Sequence, residues 1–178
     1  MTVFKNKSLL AFLMLVTVTS SVQAADTTIT VSGKVVAAAC TVESGLINGQ
    51  TVDLGVFGRT KLQAPGTAGD WRSFSLKLTN CPPGTNKSTV TFSGTPDSHN
   101  AELFANTEPL ASAAANVAVQ IAKDSDRSAV LSNNSMMTVD VDGARNATFP
   151  LAARLYTPLG NTQAGNVASI VLVNFTYQ

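Results

Sequence analysis

The sequence predicts an all-β sandwich, because three features of the chain agree. Short runs in which apolar and polar residues alternate recur from Asp26 to the end of the chain, as in strands that bury one face. Clusters of glycine, proline and asparagine separate these runs, as turns do. No long segment has the period of an amphipathic helix. Short strands at this spacing indicate two packed sheets.

The first 24 residues are expected to be a secretory signal peptide. Lys5 and Lys7 precede an apolar core of ten residues, 9–18, and Val22-Gln23-Ala24 supplies small residues before a cleavage site. We expect cleavage after Ala24, with cleavage after Ala25 as the second choice. A short membrane anchor is the alternative, but the core is well below the ~18 apolar residues that a membrane span needs.

Cleavage after Ala24 would leave residues 25–178, a chain of 154 residues that can form one domain with a sizeable core. The full sequence has 12 Lys and Arg against 11 Asp and Glu, so losing Lys5 and Lys7 changes the net charge from +1 to −1. The chain has neither a basic stripe nor an acidic tail. Nucleic-acid binding is therefore not expected, because it relies on clustered basic residues.

The first predicted strand runs from Asp26 to Val36, shortly before Cys40. Its alternation puts one set of residues on a common face: Thr27, Ile29, Val31, Gly33 and Val35. No tight turn joins this segment to a following strand. The free edge of such a strand invites pairing with another chain, and a protein can use this by lending the strand to a neighbour. An internal strand of a complete sandwich is the alternative.

The middle of the chain has five further alternating segments: 73–80, 89–93, 116–121, 137–141 and 148–156. The turns between them have the usual residues, as in Cys81-Pro82-Pro83-Gly84, Asp142-Gly143 and Pro158-Leu159-Gly160-Asn161. The alanine-rich segment 110–115 is expected to form at most a short helical turn, because it has no amphipathic period.

The last predicted strand follows Gly165-Asn166 and continues almost to the end of the chain. Val171, Val173, Phe175 and Tyr177 share one of its faces. A strand this apolar has to be covered along its edge as well as on its face.

Cys40 and Cys81 are expected to form a disulfide, since an even number of cysteines in an exported protein favours one. A metal pair and a reactive thiol are the alternatives. A metal site needs more ligands, and the single histidine, His99, lies in a polar stretch. The bridge would close a loop of about 42 residues and contribute on the order of 4 kcal/mol.

Together these residues resemble the chaperone–usher pilins of the type 1 fimbrial kind. The resemblance covers residues 25–178 and is strongest to minor tip subunits through Asp26 to Val42. It rests on a series of motifs in order: Ile29 to Val36 leading to Cys40-Thr41-Val42, Val52-Asp53-Leu54-Gly55, Leu78 to Pro82, Thr91 to Gly94, Phe149-Pro150-Leu151, Gly165 fourteenth from the C-terminus, and the penultimate Tyr177.

The resemblance implies an incomplete immunoglobulin-like sandwich that lacks its final strand. Residues 25–37 would be a donor-strand extension and residues 38–178 the pilin domain. The donor positions would be Thr27, Ile29, Val31, Gly33 and Val35, although pilins often have an apolar residue where this chain has Thr27. The open groove would be bordered by the C-terminal strand, which would pair with the chaperone. By the same resemblance that region comprises Gly165, Val171, Val173, Phe175 and Tyr177.

The expected partners are a periplasmic chaperone, an outer-membrane usher and neighbouring pilin subunits. The chain would cross the periplasm and join a fimbrium on the bacterial surface. A minor adaptor at the tip is favoured over a major rod pilin. A sugar-binding adhesin is less favoured, because 154 residues leave no room for the extra lectin domain of family adhesins. A self-contained secreted sandwich with a ligand of its own is the third hypothesis.

Catalysis, cofactors and metals are not expected. The sequence has one histidine and lacks the nucleophile, zinc and phosphate-loop motifs of common enzymes. The acidic pairs Asp124 with Asp126 and Asp140 with Asp142 are interpreted as solvated strand ends and turns. Trp71 is interpreted as a packing or surface residue in preference to a platform for a sugar.

Overall fold

The computed structural model of the protein describes residues 28–33 and 39–178. Residues 28–33 belong to one unit, 1–35, and residues 39–178 to a second, 36–178, and each is described by itself. The expected signal peptide, its cleavage at Ala24 or Ala25, and the donor positions Thr27 and Val35 lie outside the described residues. Within the described ranges, no helix is long and apolar enough to cross a membrane.

The second unit is built from short antiparallel strands. In chain order they are β1 Thr41–Val42, β2 Arg72–Thr79, β3 Lys87–Gly94, β4 Phe104–Ala105, β5 Ala118–Lys123, β6 Met136–Asp140, β7 Ala147–Tyr156 and β8 Val171–Tyr177. Two short helical elements precede β2: α1, Ser44–Ile47, and a 3₁₀ helix, Arg59–Leu62.

The strands form two sheets. The larger sheet has the order β1-β2-β7-β5-β4, and the smaller has the order β6-β3-β8. β7 is central, because β2 pairs along one side of it and β5 along the other. Its inward residues Phe149, Leu151, Ala153 and Leu155 are buried in the core. The prediction of an all-β sandwich is confirmed.

The alternating segments in the middle of the chain correspond to β2, β3, β5, β6 and β7, with ends shifted by up to two residues. Sequence reasoning missed β1, β4 and the two short helices, which are too brief to show a period. In α1, the carbonyl of Glu43 accepts hydrogen bonds from the amides of Leu46 and Ile47. The segment 110–115 makes a single turn, in which Ser112 and Ala113 donate to the carbonyl of Pro109.

The disulfide between Cys40 and Cys81 is confirmed, and both cysteines are buried. It joins the segment just before β1 to the residue two positions after β2. β1 also pairs with the end of β2, where Thr41 is opposite Thr79. The start of the second unit is therefore tied to β2 both covalently and by the sheet.

The predicted strand from Asp26 to Val36 is not formed in the described part of the first unit. Residues 28–33 belong to no strand, and all six are exposed. Ile29 and Val31 are 86% and 90% exposed. The alternating pattern of this segment is therefore not satisfied by burial within the single chain, because a strand buries a face only where another segment lies against it.

Candidate functional site

The edge formed by β8 is the starting point for the site. Within the described residues, β8 pairs with β3 and with no other strand. Just beyond its end, the amides of Lys87 and Gln178 each donate to the carbonyl of the other at 2.9 Å, as in a hydrogen-bonded antiparallel pair. Since such pairs alternate along a ladder, the other β8 residues bonded to β3 are Leu172, Asn174 and Thr176.

The remaining β8 residues direct their backbone groups away from β3, towards the open edge. They are the four residues predicted for the groove: Val171, Val173, Phe175 and Tyr177. Phe92, opposite Val173, supports this assignment of the β8 residues to the two edges. Its amide and carbonyl bond to Ser135 and Asn134 on the far side of β3, so they do not bond to Val173. The open edge therefore offers the donors and acceptors of four residues to a further strand.

The side chains of these four residues are only half-buried, although they point towards the core. Phe175 packs against Phe149 of β7, with ring centroids 5.6 Å apart, yet Phe149 is 0% exposed and Phe175 remains partly open. Partial burial raises the pKa of the Tyr177 hydroxyl. The inner face of β8 is thus covered by the other sheet but not along its free edge.

A groove of about 1410 Å³ lies beside β8. Its floor is apolar and comes from both sheets, including Phe74, Leu76, Phe92, Val119, Ile121 and Leu155. Val171 and Val173 line it from β8. Exposing apolar core residues to water in an open groove costs free energy. The groove therefore favours an apolar occupant.

The segment 46–57 also borders the groove; it begins with the last two residues of α1 and contains no strand. It includes the motif Val52-Asp53-Leu54-Gly55, where the Asp53 carboxylate accepts from the Gly55 amide at 2.8 Å. Gly55 has φ of +85°, a conformation that favours glycine. Val56 and Ile47 are exposed. The site therefore has a bonded strand on one border and an irregular apolar segment on the other.

Asn106 holds the segment 165–170, which leads into β8. Its side-chain amide donates to the carbonyls of Ala114 and Asn166, and its side-chain oxygen accepts from the amides of Glu108 and Ala168. Gly165 lies within this tied segment, where a Cβ would come within 2.4 Å of the Ala114 nitrogen. The close approach of two backbones requires glycine there.

The candidate residues are therefore distributed as follows. Val171, Val173, Phe175 and Tyr177 lie on β8. Gly165 lines the same groove but precedes the strand by six residues. Ile29, Val31 and Gly33 are exposed in the first unit. Within the described ranges, no group of three or more potential metal ligands comes together.

Sequence reasoning did not identify the floor of the groove. Phe92, Val119 and Leu155 carry the same alternating signal as every other core residue, so nothing marks them as groove lining. The irregular wall at 46–57 was represented only by the motif Val52-Asp53-Leu54-Gly55.

Comparison with known proteins decides the family. The family model described as "Fimbrial protein" matches residues 29–178. The chain belongs to the fimbrial protein family. It is 38% identical over 161 residues to the uncharacterized fimbrial-like protein YdeR of Escherichia coli K12, covering 90% of each chain. It is also 38% identical to Protein FimG of the same strain, covering 89% of each chain.

The fold agrees with this membership. A subunit from the structure of a chaperone–usher pilus superposes with a TM-score of 0.63 at 14% identity, covering 89% of this chain and 99% of that one. At that identity the likeness concerns the fold alone, an incomplete immunoglobulin-like sandwich. Family and fold together identify a structural fimbrial subunit, not an enzyme.

Proposed function

We propose that the protein is a structural subunit of an adhesive fimbria and that the groove beside β8 accepts a β-strand from another chain. The observation that carries this proposal is the one-sided pairing of β8 next to an apolar groove. An added strand would bond to the free backbone groups of β8 and cover the apolar floor. Strand addition of this kind is known from chaperone–pilin complexes.

The same proposal assigns the donor role to the N-terminal segment. Ile29 and Val31 are exposed in the single chain and alternate with polar residues. Burying each of them in a neighbour's groove would contribute about 1.5–3 kcal/mol. Gly33 interrupts the bulky row and would let the donor backbone lie close to the acceptor. Thr27 and Val35 complete the predicted face.

The order of partners follows from the cost of an empty groove. A periplasmic chaperone would occupy the groove of the newly exported chain by pairing with β8. At the outer-membrane usher, the N-terminal segment of the next subunit would replace it. By the same step, on its own earlier arrival at the usher, the chain would already have inserted its N-terminal segment into the groove of the subunit ahead of it, and the products would be fimbriae on the cell surface.

Within the fimbria, we favour a minor adaptor near the tip over a major rod subunit. The support is the likeness of Asp26 to Val42 to minor tip subunits. Labelling of isolated fimbriae with an antibody to this chain distinguishes the two roles. Sparse labelling at one end is the result expected for an adaptor, and continuous labelling would mean a rod pilin.

The donor role is tested by Gly33→Leu, with Ser32→Leu as the matched control on the opposite face of the predicted strand. Both variants add the same side chain, but only the first would place it against the acceptor floor. We expect Gly33→Leu to be folded and exported yet missing from purified fimbriae, while Ser32→Leu is incorporated. Normal incorporation of Gly33→Leu would contradict the assignment.

A further inference from the structure

A row of three side chains crosses the outer face of the larger sheet. Arg154 on β7 is opposite Gln120 on β5. Trp71, just before β2, continues the register in which Arg72 is opposite Ala153, and so lies beside Arg154 on the other side. Arg154 and Gln120 alternate with the buried Ala153 and Ile121, so the row lies on the face of the sheet opposite the core. None of the three lines the groove.

The guanidinium of Arg154 is held in place within this row. Its Nε donates to the Oε1 of Gln120 at 2.7 Å, and Gln120 is only 8% exposed. The guanidinium carbon lies 4.3 Å from the centroid of the Trp71 ring and 5.7 Å from that of Tyr156. A guanidinium fixed by one hydrogen bond and by stacking loses little further side-chain entropy when it binds a ligand.

Arg154 has no acidic partner among the described residues. The guanidinium carbon of Arg127 lies 5.8 Å from the centroid of the Trp71 ring. Beside it, the carboxylate of Asp124 is already engaged by Arg127 at 2.8 Å and by the Ser73 hydroxyl at 2.8 Å. No described acceptor bonds to the terminal Nη atoms of Arg154, whereas its Nε is satisfied. Partial burial also lowers the pKa of Arg154, since it disfavours the charged form. An unpaired guanidinium in this setting gains from a partner anion.

We propose that Arg154, with Trp71 and Tyr156, forms a docking site for a protein partner that presents an Asp or Glu side chain. The free Nη atoms suit the two oxygens of a carboxylate, which arginine binds through parallel hydrogen bonds. Tryptophan, tyrosine and arginine are the residues that most often dominate the energy of protein interfaces. The site lies on the outer face of its sheet, so it remains available when the groove is filled and is independent of strand addition.

A selection from a phage-displayed library of random dodecapeptides tests this proposal. The full chain is the target, and Arg154→Gln serves for counter-selection. Peptides that both proteins capture are discarded, including any that enter the groove. We expect the remaining peptides to share an Asp or Glu. A synthetic copy of an enriched peptide should bind the Arg154→Gln protein at least about tenfold more weakly, and its Glu→Gln or Asp→Asn version should bind the original protein equally weakly.

Two further variants separate the effect of the Arg154 side chain from that of positive charge alone. Arg145→Gln removes the same charge from an exposed turn and should bind the peptide normally. Arg154→Lys keeps the charge but loses the planar fork, and should bind as weakly as Arg154→Gln. Full binding by Arg154→Lys would overturn the proposal, as would enriched peptides without acidic residues or the absence of peptides that depend on Arg154. If only an acidic saccharide such as heparin bound in an Arg154-dependent way, a protein partner would likewise be excluded.

Discussion

β7 and β8 have the same kind of sequence but very different surroundings. Both alternate apolar with mostly polar residues, and both place aromatic and aliphatic side chains towards the core. β7 has a strand on each side, and its inward residues are nearly inaccessible to solvent. β8 has a strand on one side only, and its inward residues are half-buried.

The difference shows that alternation determines which face of a strand is buried but not how many neighbours the strand has. A complete sandwich would give Phe175 the same cover as Phe149, which it contacts. The incomplete cover of the β8 side chains is on the free edge of that strand, where the apolar groove lies. It therefore marks the position at which one further strand would fit.

The largest expected effect comes from truncating the two phenylalanines in contact. Phe149→Ala removes a fully buried ring and should lower the free energy of unfolding by about 3–5 kcal/mol. Phe175→Ala should cost clearly less in the single chain, because its ring is already partly exposed. Urea denaturation of both variants measures the two losses. Equal losses would mean that β8 is as well covered as β7.

Proline substitutions compare the two edges of β8, because proline removes a backbone amide. The Asn174 amide faces β3, so Asn174→Pro should break the ladder and cost about 1–3 kcal/mol. The Val173 amide faces the open edge, where proline is tolerated. Val173→Pro should therefore lose less stability than Asn174→Pro but bind an added strand poorly.

Unfolding curves and titration with a donor-strand peptide distinguish the two proline variants. If Val173→Pro destabilised the single chain as much as Asn174→Pro, the assignment of the Asn174 amide to β3 and of the Val173 amide to the open edge would be wrong.

The smallest expected effect concerns a polar contact at the end of β5, next to β7. The hydrogen bond from Arg127 is the main cause that lowers the pKa of Asp124, and the Ser73 hydroxyl adds to it. Because the folded-state pKa is depressed, the stabilisation is present above the unfolded pKa of about 3.9 and disappears as pH falls through the lower folded value.

Denaturation of the original chain and of Asp124→Asn at several pH values tests this contact. The two should differ slightly near pH 6 and converge in strong acid. Arg127→Gln removes the donor and should abolish most of the difference. A difference that persisted in strong acid would assign it to packing, not to charge.

Much of the sandwich can be predicted from the sequence, because each long strand carries its own alternating signal. The exposed Ile29 and Val31 show where that reasoning stops, since their pattern implies a buried face without saying which chain covers it. The reason that position 165 requires glycine could not be read from the sequence, because it comes from the backbone of Ala113 and Ala114, about 50 residues earlier in the chain. Two-residue strands such as β4 depend entirely on their neighbours.

The most direct test of the missing strand is the free energy of unfolding with and without one supplied. The strand would be the N-terminal segment of another fimbrial subunit from the same assembly, attached after Gln178 through a flexible linker. A scrambled version without alternation serves as the control. The apolar side chains of that strand, buried at about 1.5–3 kcal/mol each, predict a stabilised monomer that the scrambled strand does not reproduce. Equal stability of all three forms would mean that the sandwich is already complete.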